Sequence, residues 1–533
     1  MKVWAVFFAL AATIIVAAWW WLGAPARIPV APLAAGEKLP CVSYAPFRGD
    51  QTPLDLATRI PAWQIEDDLT QLAPLTECVR TYSVNLGLDQ ITPIAQRHGL
   101  KVLQGLWLGR DPEFNRFQID TAVALANRYP DVIRAIVVGN EVLLHGELSA
   151  SALTDVIRKV KAAVPVPVTY ADVWEFWLRN REVASAVDFV TIHLLPYWED
   201  VPVPAGEAAN HVAAITRQVA AAFAGKEIMV GEFGWPSAGR MRQGALPSPI
   251  NQALVAQEVL ARAKQEGLRV NLIEAFDQPW KRALEGTVGG HWGFLTADTR
   301  VPKFAWGKPV SDHPRWIWQA LAGIALAGTV FALAALLGPP DKLSLPRRFG
   351  ILANAVIPGI FLGGAIANVP VESFGIGGWA RSLALLAVVV VAPLASTAAL
   401  VRGIAVPPFA RILGRLDERP SGLTACVLGT GLVILIVLAV QVALGLVFDP
   451  RYRDFPFVPL TAATAPYAVL ALLTDRGAAR PSAAEAIAAI TLALSAIYIA
   501  INETVANWQA LWLGAVLLVL AAILARSRGA RSS

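Results

Sequence analysis

Two glutamates, each at the end of a short apolar run, are the residues of this sequence best suited to chemistry. Glu141 follows VVGN, and Glu232 lies in VGEFGWPS. Their separation of 91 residues fits about three strand–helix units of a (β/α)8 barrel at roughly 31 residues each. Cleaving a glycosidic bond takes one carboxyl group to protonate the leaving oxygen and another to attack the anomeric carbon or stabilise its charge. Glu141 and Glu232 are therefore the candidate catalytic residues.

The elements that position these glutamates alternate regularly along the chain. Helical patterns such as SALTDVIRKVKAAV separate eight β-rich runs. The runs are CVSYAPF at 41–47, CVRTYSV at 78–84, KVLQGLWLG at 101–109, AIVVGNE at 135–141, VPVTYAD at 166–172, DFVTIHLLPYW at 188–198, EIMVGEFGW at 227–235 and VNLIEAFDQPW at 270–280. Eight alternations predict an α/β fold, a closed (β/α)8 TIM barrel. An open doubly wound sheet is the alternative, but no GxGxxG follows the first run.

Polar and aromatic side chains gather at the carboxyl ends of these runs, where such barrels carry their chemistry. Aromatic faces pack against the C–H faces of sugars, and polar tips hydrogen-bond to sugar hydroxyls. Any single ring fits barrel packing equally well, so it is the clustering that predicts a sugar-binding groove. The residues expected to bind substrate on this ground are Tyr44, Tyr82, Asn140, Tyr170, Asp172, Tyr197, Trp198, Trp235, Glu274, Trp280 and Lys281.

The composition divides the chain into two regions. Apolar residues make up 55% of the 533 residues and the mean hydropathy is +0.51, values typical of proteins with several membrane spans. Residues 24–315 contain 29 Lys and Arg against 31 Asp and Glu, as in an ordinary globular domain. The rest of the chain contains 16 against 9. The pI of 9.1 therefore reflects membrane topology and not nucleic-acid binding.

Eight apolar stretches are long enough to be membrane spans. The first ends in three tryptophans that suit a membrane interface, although a cleavable signal peptide is an alternative. Pro459 and Pro466 make the stretch 456–473 the weakest of the set. The predicted organisation is an anchor at 1–23, a catalytic domain at 24–313 and a domain of about seven membrane helices at 314–533. The stretches are 3–22, 316–338, 350–369, 380–401, 423–447, 456–473, 484–502 and 506–525.

The positive charges between the stretches orient them. With the amino terminus inside, the inside loops and tail hold Lys342, Arg347, Arg348, Arg402, Arg411, Arg415, Arg419, Arg476, Arg480, Arg526, Arg528 and Arg531. The short outside loops hold Arg381, Arg451 and Arg453. Inside loops of membrane proteins carry the excess of Lys and Arg. We therefore expect a multi-pass protein of a bacterial inner membrane, with both termini in the cytoplasm and the barrel outside.

Several motifs together resemble a known family. The motifs GNE, GEFGWPS, VRTYS, HLLPYW, EAFDQPWK and GGHWGF look like those of glycoside hydrolase family 17, in its bacterial, membrane-bound branch. The resemblance covers 40 to about 305, roughly half of the chain. It implies a retaining enzyme that acts on β-glucan. The predicted membrane spans lie outside it, so their role is not implied.

The resemblance also assigns roles to residues. It implies that Glu141 is the general acid/base, that Glu232 is the nucleophile and that Asn140 donates to the substrate 2-hydroxyl. It places Glu274, Lys281 and Glu285 around the cleft. Physical chemistry alone requires only that the pKa of one of two neighbouring carboxyl groups rises, without deciding which.

The remaining histidines and cysteines predict no cofactor. His193 fits a general base, but hydrogen-bonded packing is the favoured interpretation for one histidine on a strand. The six histidines have no metal-ligand spacing and the three cysteines include no CxxC, so we expect no metal and no cofactor. Cys41 and Cys78 each begin a β-rich run, and two separately buried thiols are favoured over a disulfide.

Three functions are compatible with these features. The favoured one is a glucanosyltransferase that elongates or branches β-1,3-glucan, including through β-1,6 links. An endo-1,3-β-glucanase is the first alternative, and a non-catalytic glucan-binding or assembly protein is the second. The expected partners are β-glucan and the lipid bilayer, with a glucan synthase as a candidate and no nucleic acid.

Overall fold

The chain forms two compact units. The structure is a computed structural model that describes residues 2–29, 31–34, 36–414, 420, 422–474 and 481–526. One unit consists of Ala26–Ala238 and Gly244–Val310, and the other of the described parts of Met1–Pro25, Gly239–Gln243 and Ser311–Ser533. Of the arginines expected in inside loops, the following lie outside the described residues: Arg415, Arg419, Arg476, Arg480, Arg528 and Arg531.

Eight parallel strands close into a barrel in chain order, so the predicted (β/α)8 fold is confirmed. The strands are shorter than the apolar runs, since β8 ends at Leu272 whereas its run continues to Trp280. The residues after each strand form the loops at the carboxyl end of the barrel, where a site is expected. The strands are β1 (Val42–Ser43), β2 (Cys78–Arg80), β3 (Lys101–Leu106), β4 (Ile133–Asn140), β5 (Val168–Val173), β6 (Val190–His193), β7 (Ile228–Phe233) and β8 (Arg269–Leu272).

Helices α2 to α9 belong to the barrel unit, and the others to the second unit. In chain order they are α1 (Lys2–Leu22), α2 (Ala62–Leu72), α3 (Ile91–Arg97), α4 (Pro112–Arg128), α5 (Ala150–Ala163), α6 (Trp174–Arg179), α7 (Ala208–Ala222), α8 (Pro249–Glu266), α9 (Arg282–Gly289), α10 (Trp316–Leu337), α11 (Leu345–Glu372), α12 (Gly375–Arg402), α13 (Phe409–Leu413), α14 (Leu423–Phe448), α15 (Phe457–Leu473), α16 (Ala483–Glu503) and α17 (Trp508–Ala525).

The barrel helices follow from their sequences, as α5 illustrates. Ser149 caps its amino end, because the Ser149 hydroxyl accepts a hydrogen bond from the Ala152 amide at 3.3 Å. Leu153, Ile157 and Val160 recur at helical spacing and are all buried. A helix with one apolar face is stabilised by packing that face against the barrel core.

Cys41 and Cys78 form a disulfide, so the sequence-based preference for two separate thiols is wrong. The register of the parallel pair β1 and β2 explains the bond. Val42 pairs with Val79, and this register brings the two preceding cysteines opposite each other, with Cα atoms 4.3 Å apart. This separation is well below the limit of about 7 Å beyond which two cysteines cannot be bridged. Single-sequence reasoning predicted neighbouring strands but not their register.

The second unit is made of apolar helices. Among the described residues, seven helices are long and apolar enough to cross a membrane, namely α1, α10, α11, α12, α14, α16 and α17. They make this a membrane-associated protein. The eighth predicted span coincides with α15, which has 17 residues and contains Pro466, and its crossing stays a prediction.

Small residues bring α10 and α11 into close contact. A Cβ atom added to Gly323 would lie 2.1 Å from the carbonyl oxygen of Gly359, so only glycine fits there. Helices in membranes commonly associate through close backbone approach at small residues. Burial of apolar surface does not drive this association, because lipid tails are as apolar as the side chains. Packing of this kind holds α10 and α11 together.

A buried polar network lies within the same helical unit. Arg240 and Met241, from the segment between β7 and α8, contact the connection between α16 and α17. Arg240 is ion-paired with Glu503, and the Asn507 side-chain amide donates to the Met241 carbonyl at 3.0 Å and to Glu503 at 2.9 Å. The Arg240 guanidinium also lies 4.6 Å from the Phe455 ring centre. A buried arginine needs such partners to offset the loss of hydration.

Candidate active site

Glu232 lies near the end of β7 and is surrounded by donors. Its Oε1 atom accepts from Arg80 Nη1 at 2.7 Å and from the Tyr82 hydroxyl at 2.9 Å, and it lies 3.6 Å from His193 Nε2. Burial raises the pKa of this carboxyl, but the positive charges of His193 and Arg80 and the Tyr82 hydrogen bond outweigh burial and lower the pKa below 4.5. Glu232 is therefore ionised at neutral pH.

Arg80, at the end of β2, links the polar side chains of the site. Its guanidinium donates to the Gly231 carbonyl at 2.9 Å and to Asn140 Oδ1 at 2.6 Å, and Nη2 lies 3.2 Å from His193 Nε2. Arg80 is only 1% exposed. The sequence-based set of site residues omitted it. A signal was present, because an arginine inside an apolar strand run must be buried with partners.

Glu141 is the first residue after β4 and has a left-handed backbone, with φ of +54°. Its amide donates to the Ala171 carbonyl at 2.8 Å. Its Oε1 atom lies 2.8 Å from His193 Nδ1 and its Oε2 atom 3.8 Å from His145 Nε2. The Glu141 side chain is 18% exposed, whereas that of Glu232 is 6% exposed. Glu141 is thus the more accessible of the two glutamates.

The two carboxyl groups lie close together on either side of His193. One oxygen of Glu141 and one of Glu232 lie within 4.8 Å of each other, a distance near the 5–5.5 Å typical of retaining glycosidases. His193 Nδ1 lies 2.8 Å from Glu141 Oε1 and carries a proton towards it, since a carboxylate oxygen can only accept. That proton is donated to Glu141. His193 therefore orients Glu141 through a hydrogen bond.

Glu141, His193 and Glu232 also form a trio of potential metal ligands. Arg80 already bonds to Glu232 Oε1 and lies within hydrogen-bond distance of His193 Nε2, the atoms that would face an ion. A metal ion would have to displace the guanidinium cation from both. The donor set therefore fits a hydrogen-bonded pair of glutamates, and we assign no metal to it.

A second charged group adjoins the pair. Lys281 Nζ donates to both carboxylate oxygens of Glu274, at 3.1 and 2.9 Å. Burial raises the pKa of Glu274 to about 7 in spite of Lys281. Burial also raises the pKa of Glu285, and the charges of Glu141 and Glu232 act in the same direction. Glu274, Lys281 and Glu285 thus lie near the candidate pair. Tyr82 bonds directly to Glu232, and Asn140 is linked to Glu232 through Arg80.

Three other predicted residues are bonded away from the pair. The Tyr44 hydroxyl donates to the buried Asp68 at 3.0 Å, and Asp68 is also ion-paired with the half-buried Arg48. Tyr170 and Asp172 bond to each other and to the backbone of the turn that follows Glu141. A strand-end position gives the place of a residue but not the direction of its side chain. None of the three side chains is bonded to either glutamate among the contacts of the described residues.

The predicted aromatic residues differ in exposure. Tyr197 and Trp235 are buried and pack with ring centres 6.0 Å apart. Trp198 is half-buried and stacks on Trp292 with ring centres 6.5 Å apart and planes at 20°. Trp280 is also half-buried. Trp198 and Trp280 are therefore the better candidates for rings with faces open to a sugar.

The barrel matches known glycosidases. The family model of the BtgE/BtgC glycoside hydrolase domain matches residues 41–293. A glucan 1,3-β-glucosidase of Candida albicans is 28% identical over 264 residues, covering 44% of this chain and 83% of the relative. One of Saccharomyces cerevisiae is 25% identical over 258 residues, covering 44% and 82%. The solved glycoside hydrolase family 17 β-1,3-glucanosyltransferase of Rhizomucor miehei is 27% identical with a TM-score of 0.45, covering 50% of this chain and 96% of its own.

The matched region contains all eight strands and both glutamates. The family model that it matches describes a glycoside hydrolase domain, so the predicted resemblance to family 17 and the prediction of a glycosidase or transglycosylase enzyme are confirmed. Helices α10 to α17 lie outside the match. The comparison therefore concerns the barrel alone.

Proposed function

We propose that this protein is a membrane-bound, retaining glucanosyltransferase that elongates or branches β-1,3-glucan. The observation that carries the proposal is the approach of the Glu141 and Glu232 carboxyl groups to within 4.8 Å, because a nucleophile and an acid/base that work through a covalent intermediate need this spacing. The relatives named glucan 1,3-β-glucosidase support β-1,3-glucan as the substrate. Cofactors are not needed for this chemistry.

In the first step, Glu232 attacks the anomeric carbon while Glu141 gives its proton to the glycosidic oxygen. The glycosidic bond breaks, the leaving sugar departs with that proton, and a glycosyl ester forms on Glu232. Arg80 and Tyr82 both bond to Glu232 Oε1, which leaves Oε2 to attack. His193 bonds to Glu141 Oε1, which leaves Oε2 to carry the proton.

In the second step, Glu141 acts as the base. As a carboxylate it removes the proton from an acceptor hydroxyl, whose oxygen attacks the anomeric carbon and breaks the ester to Glu232. Two inversions give retention of configuration. A sugar acceptor gives a longer or branched glucan, and a water acceptor gives hydrolysis.

Transfer needs a bound acceptor, because water is far more abundant than sugar. A subsite that holds a glucan end next to the ester raises its effective concentration. The half-buried rings of Trp198 and Trp280 are candidates for such a subsite. Anchoring by several apolar helices also suits an enzyme that remodels glucan at the surface or in the periplasm, beside a glucan synthase.

The deciding experiment uses the purified full chain in detergent with defined β-1,3-gluco-oligosaccharides. Product length and linkage are followed over time by mass spectrometry and linkage analysis. Products longer than the substrate, or with a new linkage such as β-1,6, support transfer. Accumulation of shorter sugars alone, even at high acceptor concentration, would identify an endo-1,3-β-glucanase. Binding without any bond rearrangement would identify a glucan-binding protein.

The proposal includes a topology with both termini in the cytoplasm and the barrel outside. Within the helical unit, Arg240 contacts Phe455, just before α15, and Glu503, at the end of α16. Those two helix ends therefore lie on the same side, which supports a crossing by α15 as well as by α16. A reporter active only outside the cytoplasm should be active after Ser311 and silent after Arg348. The reverse pattern would contradict the topology.

A further inference from the structure

The turn that carries Glu141 is stabilised by contacts from the neighbouring strand. Glu141 has φ of +54°, a left-handed conformation that is sterically unfavourable for a residue with a Cβ atom. Its amide is held by the Ala171 carbonyl of β5 at 2.8 Å, and the His145 amide closes the turn onto the Glu141 carbonyl at 2.9 Å. Strained backbone of this kind persists only where surrounding bonds determine it.

Asp172 and Tyr170, both on β5, supply those further bonds. Asp172 Oδ2 accepts from the amides of Leu143 and Leu144 at 3.2 and 3.4 Å, and Oδ1 accepts from the Val173 amide at 2.8 Å. The Tyr170 hydroxyl accepts from the Leu143 amide at 3.0 Å and donates to Asp172 Oδ2. Asp172 is 0% and Tyr170 1% exposed. Both side chains are therefore engaged by the turn and closed to a substrate.

The charge of Asp172 suits this task. Burial raises its pKa to about 6, the charge of Glu141 adds to this rise, and the Tyr170 hydrogen bond and the charge of His193 oppose it. Above that pH the carboxylate is ionised, and amide donors bond more strongly to a charged acceptor. A buried carboxylate is costly unless it is hydrogen-bonded in this way. The amides of the turn supply that compensation.

We infer that Asp172, assisted by Tyr170, is a positioning residue for the acid/base. It fixes the turn from Glu141 to Leu144, so that the Glu141 carboxyl stays beside His193 and within reach of the glycosidic oxygen. The inference rests on the roles proposed for Glu141 and Glu232. A displacement of about 1 Å at a reacting group can cost on the order of 100-fold in rate. Asp172 acts through Glu141 and does not touch the substrate.

The test compares two substrates that differ in their need for an acid. A β-1,3-gluco-oligosaccharide has a poor leaving group, whereas its 2,4-dinitrophenyl β-glycoside departs without protonation. We expect Asp172→Asn to lower kcat/KM for the oligosaccharide about 10- to 100-fold and for the aryl glycoside less than about threefold. Tyr170→Phe should act in the same direction with a smaller effect, and it changes no charge. Both variants are assayed in the full chain after thermal unfolding shows that they fold.

A control is provided by Asp188, which precedes β6 and bonds to the first residue of β5. Asp188 Oδ2 accepts from the Val168 amide at 2.8 Å, so Asp188→Asn also removes a charged acceptor of a β5 amide. It should not change the ratio of the two kcat/KM values. Equal losses on both substrates for Asp172→Asn and Tyr170→Phe, or a higher KM with unchanged kcat, would overturn the inference.

Glu141→Ala, assayed in parallel, separates this inference from the proposed function. If Glu141→Ala spares the aryl glycoside and the Asp172 and Tyr170 variants do not, the positioning role is wrong and the acid/base assignment stands. If Glu141→Ala itself slows both substrates equally, the assignment of the acid/base is wrong, and the positioning role that rests on it is overturned as well.

Discussion

The surroundings of Glu232 and Glu141 differ, although the two carboxyl groups lie within 4.8 Å of each other. Glu232 is part of a strand, is 6% exposed and has one oxygen fixed by Arg80 and Tyr82. Glu141 lies on a turn, is 18% exposed and is held by His193. A nucleophile must be charged and fixed before the substrate arrives, whereas an acid/base must exchange its proton with each new acceptor. The difference in surroundings supports the proposed roles without using the family resemblance.

Asp68, a third buried carboxylate of the barrel, has arginine and tyrosine partners like those of Glu232, but its pKa is shifted in the opposite direction. Asp68 accepts from Tyr44 and Arg48 and lies 3.5 Å from Arg300. Burial raises the pKa of Asp68 in spite of these partners, whereas the pKa of Glu232 is lowered. Arginine and tyrosine partners therefore do not by themselves make a buried carboxylate a nucleophile. What distinguishes Glu232 is its lowered pKa and the second carboxyl group beside it.

The largest effect should come from Glu232→Ala. Removing the nucleophile should lower kcat/KM by at least about 10⁴-fold for the oligosaccharide and the aryl glycoside alike, because both reactions begin with the same attack. Rates are measured with the full chain, and added azide should give at most a product of inverted configuration. Rescue with retained configuration would mean that another group is the nucleophile.

Glu141→Ala should have a smaller and more selective effect. Loss of the acid should lower kcat/KM for the oligosaccharide about 10²- to 10⁴-fold and largely spare the aryl glycoside. The intermediate then accumulates, because no base activates water. Azide needs no base, so it should raise kcat and give a retained glycosyl azide. If azide instead gave an inverted product, the roles of the two glutamates would have to be exchanged.

The sequence predicted the order and type of the elements better than the directions of side chains. Periodic apolar runs are enough for a barrel and for long apolar helices, because period and length are properties of the sequence. Arg80 was missed, since its role arises only where β2, β4, β6 and β7 meet. Tyr44 was expected at the cleft, but its hydroxyl is bonded to Asp68. Both cases depend on which way a side chain points, which strand position alone does not determine.

Replacing Arg80 removes one of the two groups that hold Glu232 Oε1 in place. Arg80→Met leaves Glu232 buried without its ion-pair partner, a change that typically costs about 3–5 kcal/mol of stability. It also removes a charge that lowers the Glu232 pKa. We therefore expect a lower melting temperature. We also expect that, as the pH is lowered, kcat/KM of Arg80→Met begins to fall at a higher pH than that of the unchanged protein. Arg80→Lys keeps the charge but makes fewer bonds, so its effects should be intermediate. An unchanged pH profile for Arg80→Met would contradict this account.

The smallest effect, and the sharpest test of the comparison, should come from Tyr82→Phe. The Tyr82 hydroxyl donates to Glu232 Oε1 at 2.9 Å and is one of the groups that lower the pKa of Glu232 below 4.5. The ionised form of Glu232 is the active one, so kcat/KM falls as the pH decreases through this pKa. Without the hydroxyl the pKa rises, and the loss of activity should begin at a higher pH.

At pH 7 the rate of Tyr82→Phe should fall less than about tenfold, since one hydrogen bond contributes about 0.5–1.5 kcal/mol. Tyr44→Phe is the matched control, because the Tyr44 hydroxyl is also buried and bonded to a carboxylate, Asp68, at 3.0 Å. It should lower the stability of the fold but should not change the pH at which kcat/KM begins to fall as the pH is lowered. A shift of that pH in both variants would mean that any loss of a buried hydroxyl disturbs the barrel. A shift in Tyr82→Phe alone would show that the hydrogen bond to Glu232 Oε1 helps to keep the nucleophile ionised.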